Sequence, residues 1–274
     1  MIDLHLHTTA SDGECAPAEL VERARRAGLR TIAVTDHDTV AGIEDARRAG
    51  EQYGMRVIAG IEITAVASEK DVHMLGYFID PGNRELLSFL VEQRTARIER
   101  VHEMGRRLAA LGCPIDVEAL LAPFGKAGRA VGRPAIAKAL VEAGYVANIS
   151  EAFERYLGLE AAAFVPRRGA SPEEVVGVIH RAGGLAAVAH PGPSARDHLI
   201  PPMIEAGLDA IEAYHTDHDE AMVAKYRAMA EQHGLAVCGG SDFHGESRHP
   251  HATLGIVTLP PEEFEKFAAR AAAR

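Results

Sequence analysis

Ile2-Asp3-Leu4-His5-Leu6-His7 is an alternating apolar run whose last two polar members are histidines. Side chains two apart on a strand share a face, so His5 and His7 point the same way. On a strand that reads as buried, two unpartnered imidazoles are costly, and a shared metal ion would relieve that cost. Asp12 follows in Ser11-Asp12-Gly13, which alone is only a turn signal.

The pattern repeats outward from this stretch. Further strand-like runs lie at Thr31–Thr35, Val57–Thr64, Val72–Phe78, Leu185–Ala189, Ala210–Tyr214, Ala236–Gly239 and Leu254–Leu259. Helical patterns fall at Pro17–Ala27 and Val40–Tyr53, stopped by Gly28 and Gly54, and at Pro172–Ala182, Ile200–Ala206 and Glu220–Gln232. Asp38 or Thr39 offers an N-cap for the helix from Val40, and Ser171-Pro172-Glu173-Glu174 spells a capping box. Strands alternating with helices predict an α/β fold with a parallel sheet, open or closed.

From about Pro81 to Pro166 no strand is expected. Arg84–Leu111 reads as one long charged helix, followed by Asp116–Leu121, Pro134–Ala143 and Ser150–Leu157, with a Gly-rich basic loop at Phe124–Gly132. The expected division is a barrel domain from residues 1–80 and 167–274, with 81–166 as a helical insertion placed to cap its mouth as a lid. Phe267–Arg274 reads as a fraying helix end.

Composition narrows the partners. A formal charge of -10 argues against a broad basic groove for duplex DNA and against anionic membranes. With no Trp and 5% aromatic residues, a base-stacking surface is not expected to dominate. Cys15, Cys113 and Cys238 lack CxxC spacing, which suits a reducing compartment. No signal peptide or apolar membrane span is read, so a cytoplasmic location is expected. The oligomeric state is not specified.

Histidines and carboxylates stand at the ends of these runs. They are His5, His7, Asp12, His37, His73, His190, Asp242 and His244, with Glu62 inside its apolar run. A carboxylate in a strand interior is expensive unless paired or coordinated, and a bridging role between two metals would satisfy it. Barrels and open parallel sheets gather active sites at strand C-terminal ends, so these distant elements should converge. Mixed imidazole and carboxylate ligands suit Mn, Fe(II) or Zn, and so many candidates point to two or three ions.

The ordered set His5-x-His7, Asp12, Asp36-His37, Glu62, His73, His190-Pro191 and Asp242-x-His244 resembles the PHP family, named for polymerases and histidinol phosphatases. The resemblance implies a distorted seven-stranded (β/α) barrel with up to three metals, manganese foremost. It implies a first metal on His5, His7, Glu62 and Asp242, a second on Glu62, His73 and His190, and a third on Asp12, His37 and His244. Gly132-Arg133-Pro134 with Ala137-Lys138-Ala139-Leu140-Val141 looks like the subgroup that hydrolyses nucleoside 3',5'-bisphosphates or trims short RNA from the 5' end. Many of that subgroup carry a histidine after Arg-Pro, where this chain has Ala135.

The expected activity is removal of the 3'-phosphate from a nucleoside 3',5'-bisphosphate by a metal-bridging hydroxide attacking phosphorus. Glu62 and Asp242 would act at the metals. Arg133 and Arg168 would bind phosphate, and His215 would bind phosphate or protonate the leaving oxygen. His218 is read as solvated, and His102, His180 and His233 as surface or packing residues. Rival readings are 5'-3' exoribonuclease action on short RNA, hydrolysis of a histidinol-phosphate-type ester, amide hydrolysis at a binuclear site, and a non-catalytic metal-binding module. The last would be favoured by missing ligands, and none of the nine is missing.

Overall fold

The computed structural model describes residues 1–68, 70–125, 132–194, 197–246 and 251–273. The N-terminal run forms β1 (Ile2–Asp3) and then leaves regular pairing because side chains take over the ladder. Thr35 Oγ1 both accepts from Leu6 N at 3.1 Å and donates to Leu6 O at 3.2 Å. On the other side, Asp3 accepts from Ser241 N at 2.9 Å and Ser241 Oγ at 2.7 Å.

The remaining strands are β2 (Thr31–Val34), β3 (Arg56–Ala67), β4 (Lys70–Tyr77), β5 (Leu185–Val188), β6 (Ala210–His215) and β7 (Ala236–Gly240). They form one seven-stranded sheet in chain order. It closes on itself where Leu4 N donates to Gly239 O at 3.1 Å and His7 N to Phe243 O at 3.0 Å. A Cβ on Gly240 would stand 2.3 Å from His5 N, so only glycine lets β7 approach β1 this closely.

The sheet is not wholly parallel as expected. β4 runs antiparallel to both β3 and β5, because β3 pairs directly back with β4, Ala67 opposite Lys70, without an intervening helix. This reversal serves the site. The N-terminal half of β4 reaches the same mouth as the C-terminal ends of its neighbours. His73, paired with Thr64, thus stands diagonally across from Glu62.

The helices are α1 (Pro17–Arg26), α2 (Ile43–Tyr53), α3 (Arg84–Ala110), α4 (Val117–Gly125), α5 (Arg133–Glu142), α6 (Ile149–Ala152), α7 (Pro172–Arg181), α8 (Pro191–Ser194), α9 (Ile200–Glu205), α10 (Glu220–Gln232) and α11 (Pro261–Ala272). A π-turn at Phe153–Leu157 extends α6. The capping box forms at α7: Ser171 Oγ accepts from Glu174 N, and Glu174 Oε2 accepts from Ser171 N.

Two further sequence expectations fail. α2 starts at Ile43, not Val40, because Asp38 caps no helix; its carboxylate is spent on Thr64 N at 3.0 Å, Thr64 Oγ1 at 3.1 Å and Arg97 Nη2 at 2.5 Å. Leu254–Leu259 forms no strand. Leu259 N donates to Ile2 O at 2.9 Å, but from Leu4 onward β7 occupies that edge of β1. Most of the Phe124–Gly132 loop, residues 126–131, and Arg274 lie outside the described residues.

Strand side chains facing outward pack under the helices. Ile61 meets Gly76 and, beyond it, Ile179 of α7. Helices α3 to α6 have a separate apolar cluster that includes Met104, Leu108, Ile136, Leu140 and Leu157. α3 serves both cores, because Leu86 and Leu90 belong to the barrel cluster. Among the described residues no helix is long and apolar enough to cross a membrane. Ile61→Ala is expected to lower stability by about 2–5 kcal/mol, read from the urea unfolding midpoint. An unchanged midpoint would mean that the space above Gly76 collapses without loss.

Candidate metal centre

Glu62, fully buried in β3, is the hub of the barrel mouth. Its Oε2 lies 3.3 Å from His5 Nε2, 3.2 Å from His7 Nε2 and 3.1 Å from His37 Nδ1. Its Oε1 lies 2.8 Å from His73 Nδ1 and 3.1 Å from His190 Nε2. Asp242 Oδ1 stands 3.2 Å from His5 Nε2 and 3.1 Å from His7 Nε2. Asp12 Oδ1 approaches His244 Nε2 at 3.3 Å and His37 Nε2 at 4.0 Å. All nine sequence candidates therefore meet in one cluster.

Buried carboxylates behind this layer hold the loops that carry the candidate ligands. Asp36 accepts from Thr8 N, Thr8 Oγ1 and Ser11 Oγ at 2.6–2.7 Å, which fixes the loop carrying Asp12. Asp3 fixes the turn that carries Asp242, and Asp38 ties β2 to β3. Asp38, His190 and Asp242 have positive φ values of 51°, 26° and 55°. Non-glycine residues in that region cost on the order of 1–3 kcal/mol each and persist only where surroundings impose them.

The donor set fits divalent ions. His7 Nδ1 and Nε2, His37 Nδ1, His73 Nδ1, His215 Nε2 and Asp242 Oδ1 are buried and make no hydrogen bond. Such atoms are rare in folded proteins, and these six line one mouth, with Tyr77 Oη elsewhere as the seventh among the described residues. Four sets among the described residues can each present ligand atoms within 4.8 Å of one another: His5, His7, Glu62 and Asp242; His37, Glu62 and His73; His7, Asp12, His37 and His244; and His5, Glu212 and His215. The first is the expected first-metal set. The second brings His37 beside Glu62 and His73, with His190 on the same Glu62 oxygen, and the third adds His7 to the expected trio.

Burial opposes charge on Glu62 and Asp242, yet the surrounding imidazoles, His37 first for Glu62 and His5 first for Asp242, hold both well below the usual carboxylate range. Burial also disfavours the His7 cation, but Asp242 and Glu62 outweigh it and raise its pKa to about 10. His37 goes the other way, down to about 4, because burial and the neighbouring His7 and His73 exceed the pull of Glu62.

The proposed substrate residues are more dispersed. His215 is buried at the end of β6, with Nε2 3.5 Å from Asp242 Oδ2. Its Nδ1 accepts from Asp217 N at 3.1 Å, so the neutral ring carries its proton on Nε2, toward the centre. Arg133 Nη1 donates to Leu157 O at 3.2 Å, and its guanidinium lies over the rings of Phe153 and Phe164. Arg168 is exposed in a cleft along α3. His218 is not solvated as expected: it is a half-buried strut whose Nδ1 donates to Ala213 O and whose Nε2 accepts from Gly192 N.

Sequence reading missed Glu212, fully buried in β6 with Oε1 2.8 Å from His5 Nδ1. The test that singled out Glu62, a carboxylate inside an apolar strand, applies equally to Glu212. It also missed Arg97, which pairs with Asp38, and Arg167, whose Nη1 lies 2.7 Å from Asp71 Oδ2. Nothing in their local pattern separates them from the other arginines of that region.

A closed seven-stranded α/β sheet that gathers imidazoles and carboxylates at one mouth is the frame of a metal-dependent hydrolase. The PHP domain family model matches residues 3–158, and the chain belongs to this family. A 5'-3' exoribonuclease of Haemophilus influenzae is 34% identical over 250 residues, covering 88% of this chain and 89% of the relative. A 3',5'-nucleoside bisphosphate phosphatase of Chromobacterium violaceum is 32% identical over 265 residues, covering 95% and 93%. A Bifidobacterium adolescentis crystal structure, assigned to the metal-dependent phosphoesterases, superposes with a TM-score of 0.80 at 35% identity, over 98% of this chain and 96% of the other. The protein is a hydrolase acting on phosphoric esters.

Proposed function

We propose that this protein removes the 3'-phosphate from nucleoside 3',5'-bisphosphates. The observation that carries the reading is a group of arginines beside the metal centre. Arg97, Arg133 and Arg167 lie near enough to repel the Arg100 cation, and burial together with that repulsion lowers Arg100 to about 10. Only Asp38 and Asp71 pair with this group among the described residues. The remaining positive charge suits a phosphate that is held and not cleaved.

His5, His7, Glu62 and Asp242 would hold a first divalent ion, Glu62, His73 and His190 a second, and Asp12, His37 and His244 a third. Manganese is the foremost candidate. Bound divalent ions acidify water and neutralise phosphoryl oxygens. Glu62 and Asp242 keep the imidazoles aimed inward, and the arginines hold the second phosphate. His215 Nε2–H is placed to donate toward the leaving oxygen. Residues 81–166 act as the lid that carries Arg97, Arg100 and Arg133 to the mouth.

The test is phosphate release with added Mn from adenosine 3',5'-bisphosphate, 5'-AMP, 3'-AMP, histidinol phosphate and a 5'-phosphorylated dinucleotide. Preference for the bisphosphate is expected; inertness of metal-loaded protein toward all five would refute the proposal. Arg167→Gln is expected to raise KM for the bisphosphate about 10–100-fold, the worth of one charge-assisted hydrogen bond, with kcat little changed. Asp71 is half exposed and can be hydrated once Arg167 is gone, so the fold should survive the change.

A second reading, 5'-3' trimming of short RNA, draws on the cleft of about 490 Å³ along α3. It shares Arg100 with the arginine group and adds Arg106, Arg107 and Arg168, a path for further phosphates. Release of a mononucleotide from the dinucleotide would favour it.

A further inference from the structure

Glu212 sits in β6 behind the ligand layer, fully buried, with both carboxylate oxygens committed. Oε1 lies 2.8 Å from His5 Nδ1, and Oε2 accepts from His190 N at 2.7 Å. His5 Nε2 points the opposite way, to Glu62 Oε2 at 3.3 Å and Asp242 Oδ1 at 3.2 Å. An imidazole that offers a lone pair at Nε2 must carry its proton at Nδ1, and Glu212 is the acceptor waiting there. The second contact addresses a different problem. His190 holds a φ of +26°, a conformation that non-glycine residues rarely adopt, and its amide is fixed by Glu212.

We propose that Glu212 is a positioning residue for two metal ligands at once: it sets the ring tautomer of His5 and the backbone conformation of His190. One carboxylate on β6 thereby couples the loop after β1 to the loop after β5. The two rings it controls both face Glu62, one toward each of its oxygens. Glu212 needs no contact with substrate for this role. The inference rests on the reading of His5 and His190 as ligands.

Glu212→Gln keeps the shape of the side chain, but a single amide oxygen can accept from only one of the two N–H groups. The expected result is a dissociation constant for Zn or Mn raised about 10–100-fold, measured by competition with a fluorescent chelator. Asp209→Asn is the matched control. Asp209 stands beside the same strand and holds His180 Nε2 at 2.9 Å and Ala186 N at 2.9 Å, away from the centre. It should lose thermal stability and keep wild-type metal affinity.

Wild-type affinity in Glu212→Gln overturns the proposal. Loss of one whole ion, with the others bound as before, also overturns it, since Glu212 would then be a ligand. His5→Ala separates the two levels. If it binds metal like wild type, the ligand reading fails; if it does not while Glu212→Gln does, only the positioning role fails. Should Glu212→Gln not fold, the zinc-loaded wild-type protein labelled with ¹⁵N-histidine decides. A slowly exchanging proton on His5 Nδ1 is expected, and a bare Nδ1 overturns the assignment.

Discussion

Glu62→Gln is expected to lower the rate of phosphate release by more than about 10³-fold. Losing one electrostatic stabiliser of a transition state typically costs about 10²–10³. Glu62 does more, because its two oxygens face His5, His7, His37, His73 and His190. A neutral amide would be a poor ligand for divalent ions, and its NH2 would take the place of one of the two oxygens that Glu62 would offer them. Steady-state phosphate release, with metal content measured on the same sample, checks this. Activity within tenfold of wild type at full metal content would remove Glu62 from the centre of the mechanism.

The second large effect is the coupling of ions to protons. At pH 7 the metal-free site holds a proton on His7, whose pKa is raised to about 10. If His7 is a ligand, coordination needs its bare nitrogen, so uptake of an ion should expel that proton. Affinity should therefore fall as pH falls, about tenfold per pH unit for each proton displaced. His37, lowered to about 4, is already neutral at pH 7 and adds nothing to this slope until the solution is strongly acidic. Calorimetric titration with Mn in two buffers of different ionisation enthalpy measures the protons released; a count of zero at pH 7 would contradict the argument. Each site filled at 100 times its dissociation constant adds about 2.7 kcal/mol to stability. Chelator-treated protein should accordingly melt several degrees below the loaded form.

Much of this site is written locally. His5 and His7 share a strand face by parity alone, and the histidines and acids that close each apolar run mark one mouth without any knowledge of distance. The α7 capping box is equally local and formed as read. What could not be read depends on partners remote in the chain. The reversal of β4 rests on a turn with no strong signal, and the late start of α2 on Asp38 meeting Thr64 and Arg97. Leu254–Leu259 has the pattern of a strand, but its edge is already taken. Arg97 and Arg167 acquire meaning only when α3 and the segment before α7 bring them to Asp38 and Asp71. Glu212 was legible and overlooked.

The seam between β1 and β7 joins residues far apart in sequence, 238 positions for Asp3 and Ser241. Asp3 binds Ser241, and His5 and His7 meet Asp242 across the same line. Contacts of such sequence separation close late, after the entropy of the intervening loop has been surrendered. An ion held by His5, His7 and Asp242 would therefore be a stitch across a gap that is expected to close late. Its kinetic signature should be slower unfolding with an almost unaltered folding rate, because the stitch is absent at the barrier. In a cell, the loaded barrel would be a protein whose lifetime is set by how tightly it keeps its metal.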